Sequence, residues 1–251
     1  RPARRLHKGA RVRFGEGRLR ARVVEALDDG HRVVRFDCHD GSPLHTLLEE
    51  LGQTPLPPYI KRGTQTQAED RERYQTIYAR ERGAIAAPTA GLHFTPRVID
   101  ELASRGASVV EITLHVGYGT FEPVRVSDTG EHKVAPERYE ISDGAAQAIN
   151  RARALGRRIL AVGTTTTRAL ESAVDEDGQV QPGAGLAQLT ITPPFEFRVV
   201  GRLLTNFHLP RSSLLVLVSA FAGRELVLAA YRHAVAEAYR FYSYGDCMLI
   251  I

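Results

Sequence analysis

Tryptophan is absent, methionine occurs once, at Met248, cysteine twice, and aromatic residues make up only 7% of the 251 positions. Cys38 and Cys247 lie far apart in sequence with no metal-ligand spacing, which excludes a disulfide framework, argues against a zinc site and fits a reducing compartment. No apolar run approaches the ~20 residues that a membrane span needs. The longest, LLVLVSAFA at 214–222, reads as a buried helix, so the expectation is a cytoplasmic protein with no membrane partner. The lysine of a Walker A loop and the spacing of GxGxxG are both missing, and no HxH or HExxH pair occurs. Triphosphate, dinucleotide and zinc-hydrolase signatures are therefore unsupported. With Met248 as the sole methionine, Arg1 is not an initiator residue, and a further N-terminal segment is expected before it.

Hydrophobic residues make up 43% of the chain, enough for one large domain or two smaller ones. Charge divides the sequence. Up to Arg35 there are eleven Lys or Arg against four acids, a surplus of +7, whereas the whole chain carries +4, so everything after Arg35 sums to −3. Alternation in ARVRFG and GRLRARVVEAL, with Asp29-Gly30 turning into HRVVRFD, predicts a small antiparallel meander whose arginines face solvent. Arg18, Arg20 and Arg22 fall on alternate positions of one strand and suit a nucleic-acid backbone. A solvated face that keeps strand edges apart gives the same pattern. Ser42-Pro43 opens a short helix closing at Gly52, PLPPYIKR at 55–62 is an extended crossing, and Tyr74, Ile77 and Tyr78 at helical spacing predict a surface helix over 63–83. Residues 1–54 are thus expected to be part of a small β domain and 55–251 a larger α/β domain, with 55–82 as crossing segment and surface helix.

The larger part is organised around 87–123, which opens with APTAGLHFT and closes with TLHVGYGTFEP. Thr95 and Pro96 start a helix, Gly106 ends it, and Ser108 to Leu114 reads as a buried strand, which brings two glycine-rich ends to one sheet edge. Each end carries a histidine, His93 and His115. Further on, Ser142 caps a helix ending at Gly156, RRILAVG forms a strand, and GTTTTRALES starts a helix with threonine hydroxyls and free N–H groups aimed above the sheet. LAQLTIT at 186–192 and FRVVG at 197–201 read as strands. LLTNFHLPRSS at 203–213 gathers Asn206, His208, Arg211 and Ser212 ahead of the apolar helix. A second helix spans 224–240, and Tyr244, Gly245 and Asp246 precede a final apolar strand. The alternation from Gly83 onward predicts an α/β layer with a parallel or mixed sheet.

APTAGLHFT, LHVGYGTFEPV, the EHK histidine His132, VGTTTTRALES, LLTNFHLPRSSLLVLVSAFAG and YRFYSYGDCMLI together resemble the S-adenosylmethionine:tRNA ribosyltransferase-isomerase family of queuosine biosynthesis. The resemblance covers nearly all of 55–251 in order and is looser over 1–54. It implies transfer of the ribosyl part of S-adenosylmethionine to the aminomethyl group of a 7-deazaguanine at the tRNA wobble position, giving epoxyqueuosine and releasing adenine and methionine. It also implies a large barrel-like α/β domain with a smaller antiparallel β-barrel domain, the N-terminal part of the large domain being absent here. S-adenosylmethionine is then a co-substrate, with no bound cofactor and no metal, and the protein is expected to be a monomer. His93 and His115 are the candidates for base and acid, since imidazole titrates in the useful range. Thr89, Gly91, Gly117, Gly119, Thr120, Phe121, His132, Thr164, Thr165, Asn206, His208, Ser212, Tyr244 and Asp246 are candidate substrate contacts, and Arg168 or Arg211 would hold the methionine carboxylate. Two other classes compete. A metal-dependent hydrolase would use His93, His115, His132 and His208, and a non-catalytic RNA-binding protein would rest on the basic meander.

Overall fold

The protein is described by a computed structural model covering residues 6–27, 30–38, 41–57, 59–60, 67–117 and 132–251. Contacts divide it into two compact units, Arg1–Thr54 and Pro55–Ile251.

In the smaller unit, β1 (Arg11–Phe14), β2 (Leu19–Ala26) and β3 (Arg32–Cys38) form an antiparallel sheet in that order. The period of two in LRARV puts Leu19, Ala21 and Val23 in the core and Arg20 and Arg22 in solvent. Helix α1 (Leu44–Leu51) contributes Leu47, which is fully buried and worth about 2 kcal/mol by its area.

Among the described residues the larger unit contains two sheets. One is antiparallel, ordered β4 (Thr113–His115), β5 (Glu137–Ile141) and β7 (Gly183–Ala187). The other is mixed. Its β6 (Ile159–Val162) runs parallel to β8 (Val200–Asn206), which pairs antiparallel with β9 (Cys247–Ile250). Around them lie α2 (Gln67–Arg73), α3 (Pro96–Ser104), α4 (Asp143–Ala154), α5 (Thr164–Ser172), α6 (Ser213–Ala222) and α7 (Arg224–Ala236). Caps explain three of the helix starts: Thr95 accepts from the Val98 N–H, Ser142 from Ala145 and Ser212 from Leu215, each stabilising its helix by about 1 kcal/mol. Helices α6 and α7 meet at a 116° bend, at Gly223, and no single helix among the described residues is long and apolar enough to cross a membrane. The core joins Ile141, Ile149, Leu170, Leu203, Leu217 and Val218.

Several expectations are corrected. Among the described residues no sheet closes into a barrel, large or small: three separate three-stranded sheets are formed, too few strands each for closure. The strand expected over 108–114 shrinks to Thr113–His115 because its partner β5 ends at Ile141, where Ser142 caps α4, and Val109 is left 49% exposed. The helix expected over 63–83 is present only as Gln67–Arg73 among the described residues. Tyr74 instead packs edge-on against Tyr244, with ring centroids 5.6 Å apart, and Ile77 is 53% exposed. Strands expected at 186–192 and 197–201 lie at Gly183–Ala187 and Val200–Asn206. The first starts early because Gly185, lacking a Cβ, lets the Tyr139 ring lie over it.

Candidate active site

Thr89, at the start of a 3-10 turn over Thr89–His93, the Gly163–Thr165 entry of α5 and the segment from Thr205 to Ser212 converge on a cavity of about 170 Å3. Tyr59, Tyr242 and Ser243 close another side. The Tyr59 hydroxyl lies 2.6 Å from Ser243 Oγ, and the Tyr59 and Tyr242 rings are 5.0 Å apart. The entry of α5 is open because Gly163, at φ +96, stands at the N-cap and offers no side chain to the first-turn N–H groups. Of the threonine run, Thr166 donates back to the Val162 carbonyl at 2.7 Å and Thr167 to the Gly163 carbonyl at 3.1 Å. Thr164 and Thr165 line the cavity, the Thr165 hydroxyl also bonding to Glu137, with Ala86, Pro88, Ala90, Val116 and Phe207 as apolar wall.

Among the described residues, Arg211 is the one Lys, Arg, Asp or Glu side chain in this lining. It follows Pro210 with φ +57, a left-handed conformation that L residues other than glycine and asparagine rarely adopt. His208, also in the lining, has its Nε2 3.0 Å from Thr205 Oγ1, and burial pushes its imidazole down to about 4, so it is neutral near pH 7.

His93 lies beside the cavity, its Nε2 3.3 Å from Asn206 Nδ2. The Asn206 amide has a determined orientation, because Nδ2 donates to the Tyr242 carbonyl at 3.0 Å and lies 3.5 Å from that of Ser243. A carbonyl oxygen there would face two others. His93 Nε2 is therefore the acceptor and its neutral ring carries the proton on Nδ1. Burial lowers the His93 pKa; Asp246 opposes this and Arg240 adds to it. Asp246 accepts from the Arg240 N–H at 2.7 Å and from its guanidinium at 2.9 Å, and those bonds hold its carboxyl below the usual carboxylate range. Among the described residues no three His, Cys, Asp or Glu side chains converge as metal ligands, so the four histidines of the hydrolase reading are not gathered.

The family described as queuosine biosynthesis protein matches residues 1–250. The chain belongs to this family. It is 50% identical to the S-adenosylmethionine:tRNA ribosyltransferase-isomerase of Desulforamulus reducens, covering 100% of this chain and 72% of that protein. With its namesake from Syntrophotalea carbinolica the identity is 54%, over 97% of this chain and 69% of that one. The crystal structure of S-adenosylmethionine tRNA ribosyltransferase from Thermotoga maritima superposes with a TM-score of 0.55 at 34% identity, covering 100% of this chain and 68% of that one.

Within this queuosine biosynthesis chain, the cavity brings together Thr89, Thr164, Thr165, Asn206, His208, Arg211 and Ser212 of the expected contacts. Others lie elsewhere. Arg168 is 2% exposed and fully engaged: it pairs with Glu137 at 2.7 Å and donates to the Leu189, Ala135 and Ala187 carbonyls. Burial pushes the Glu137 carboxyl up, against the downward pull of Arg168, the Gly117 N–H and Thr165. Gly91 packs against Tyr78 and Thr76, where a Cβ would not fit, and His115 packs against Gly83. Tyr244 donates to Asp70 at 3.2 Å. His132 and Gly117 are half-buried outside the lining, and Gly119, Thr120 and Phe121 fall outside the described residues. Arg18, Arg20 and Arg22 are exposed on the smaller unit. Sequence reasoning missed Tyr59, Thr205, Tyr242 and Ser243. Tyr242, with φ +73, sits in the same YSYGD stretch that drew attention only to Tyr244 and Asp246.

Proposed function

We infer that this protein is an S-adenosylmethionine:tRNA ribosyltransferase-isomerase. It moves the ribosyl part of S-adenosylmethionine onto the aminomethyl group of a 7-deazaguanine at the tRNA wobble position, forming epoxyqueuosine and releasing adenine and methionine. The observation that carries this reading is the match, over the whole chain and at about half identity, to relatives that bear that name. The cavity supports it with one cation, two threonine hydroxyls at a helix entry, two tyrosine rings and an apolar wall.

S-adenosylmethionine occupies that cavity as co-substrate in this reading. Arg211 takes the methionine carboxylate, because among the described residues its guanidinium is the one at the cavity, and Arg168 is committed to Glu137. Thr89, Thr164 and Thr165 meet the ribose hydroxyls. The sulfonium acidifies the C5′–H, and neutral His93, which gives up the Asn206 N–H bond at Nε2 when substrate enters, accepts that proton there. Adenine leaves the resulting ylide with the glycosidic bond pair and takes the proton back from the His93 imidazolium, which exposes the ribose carbons to the tRNA amine. The amine sheds a proton as its C–N bond forms, and methionine leaves as a neutral thioether. Burial suits the base role, since a depressed pKa keeps His93 unprotonated to lower pH. The unit Pro55–Ile251 is the catalytic domain and Arg1–Thr54 the part that attracts tRNA. Action on tRNA places the protein in the cytoplasm in this reading, and it acts there as a monomer.

Isotope fate tests the reaction. Label in the ribose of S-adenosylmethionine should enter tRNA, and label in its methyl group should leave with methionine. Methyl label in the RNA would make the protein a methyltransferase instead.

A further inference from the structure

The register of the sheet in the smaller unit sets arginines directly opposite one another. Arg11 of β1 faces Arg22 of β2, which faces Arg35 of β3; two positions along, Arg13 faces Arg20, which faces Asp37. All six are exposed, whereas the alternate row Val12, Ala21 and Phe36 is turned inward. Strands ~4.8 Å apart and a two-residue step of ~6.8 Å make this a cationic grid of five guanidinium groups and one carboxylate. None of the five arginines makes an ion pair among the described residues.

Like charges directly opposite destabilise an antiparallel pair. Protection against edge pairing calls for cations on outer strands, yet Arg20 and Arg22 occupy the central one. The sheet thus holds a self-repelling arrangement that a polyanion would relieve, and guanidinium groups match phosphate oxygens in pairs. We propose that this grid is a phosphate-binding face whose occupant is the backbone of the tRNA substrate. The proposal rests on the ribosyltransferase reading for the choice of RNA. Arg18 stands apart from the grid: it lies before β2 and pairs with Glu50 at 2.7 Å.

The test replaces Arg11, Arg22 and Arg35 together by Ser in the full-length protein, with a triple Lys variant as charge-keeping control. Binding of an unmodified tRNA transcript is followed against salt, without turnover. Each lost phosphate contact flattens the slope of log affinity against log salt by about 0.7–0.9, so the Ser variant should lose roughly 2–3 of slope while the Lys variant keeps most of it. Relief of repulsion should raise the thermal midpoint of the Ser variant by about 2–4 °C, and S-adenosylmethionine binding should not change. A salt slope equal to wild type in the Ser variant overturns the proposal, even if the wild type releases adenine from S-adenosylmethionine in the presence of tRNA. A wild type that binds RNA through the grid but never releases adenine would instead sink the ribosyltransferase reading and leave the grid standing.

Discussion

Arg211 occupies the third position of a tight turn in a left-handed conformation that costs an arginine about 1–2 kcal/mol relative to glycine. Strain of this kind persists where a side chain is needed at that spot, and Arg211 brings a guanidinium to the cavity. Replacing Arg211 with Gly should therefore stabilise the fold by about 1 kcal/mol in chemical denaturation. The same change should weaken S-adenosylmethionine binding by roughly 10- to 100-fold, the size expected of a lost charge-assisted contact. Unchanged affinity in a titration would remove Arg211 from the carboxylate role. The polar density of NFHLPRSS was legible in the sequence, and Asn206, His208, Arg211 and Ser212 of this stretch line the cavity. The backbone strain was not, because a proline followed by arginine reads equally well as an ordinary type I turn.

At the scale of elements, the start of β8 is held by one side chain. Glu171, 5% exposed on α5, accepts from the backbone N–H groups of Arg198 at 2.9 Å, Val199 at 3.0 Å and Val200 at 2.8 Å. This carboxylate locks α5, whose entry lines the cavity, to β8, whose far end supplies Thr205 and Asn206. Glu171→Ala leaves three backbone N–H groups to find new partners and should destabilise the protein by about 3–5 kcal/mol, with Gln recovering part of the loss. A denaturation midpoint shifted by less than a fifth of that would mean that β8 is held by its ladder alone. The same bonds explain why the strand expected at 197–201 begins at Val200: the N–H groups of Arg198 and Val199 go to a carboxylate that lies 27 residues back for Arg198 and 28 for Val199. Helix starts at Thr95 and Ser142 were legible because a cap acts over three residues and needs nothing distant, whereas Ser212, read as a ligand contact, also caps α6.

For the molecule as a whole, stability should respond to pH through His208. Its ordinary value of 6.5 is pushed down to about 4 by burial, so below about pH 6.5 the unfolded chain takes up a proton that the folded chain refuses until about pH 4. The contribution is fully present above pH 6.5 and is lost as pH falls through that window, at most by something on the order of 3 kcal/mol. Unfolding free energies measured at pH 7, 5.5 and 4.5 should fall in the wild type and fall less in His208→Asn; parallel curves would show that His208 titrates normally. Charge is likewise a property of the whole chain. The +7 surplus up to Arg35 against −3 beyond it was plain in composition, and strand alternation already turned Arg20 and Arg22 outward. Composition, caps, the period of two in the meander and the family motifs were thus determined by the sequence itself, because each depends on neighbours a few residues apart or on identity alone. The cross-strand row Arg11, Arg22 and Arg35 was decided by register, and the division of labour between Arg168 and Arg211 by the chain path. Arg168 meets a carboxylate and carbonyls that are 19 to 33 residues away, while Arg211 is left at the cavity, with no acid in its lining among the described residues. Such pairings depend on desolvation and distance between segments remote in sequence, quantities that exist only once the chain has packed.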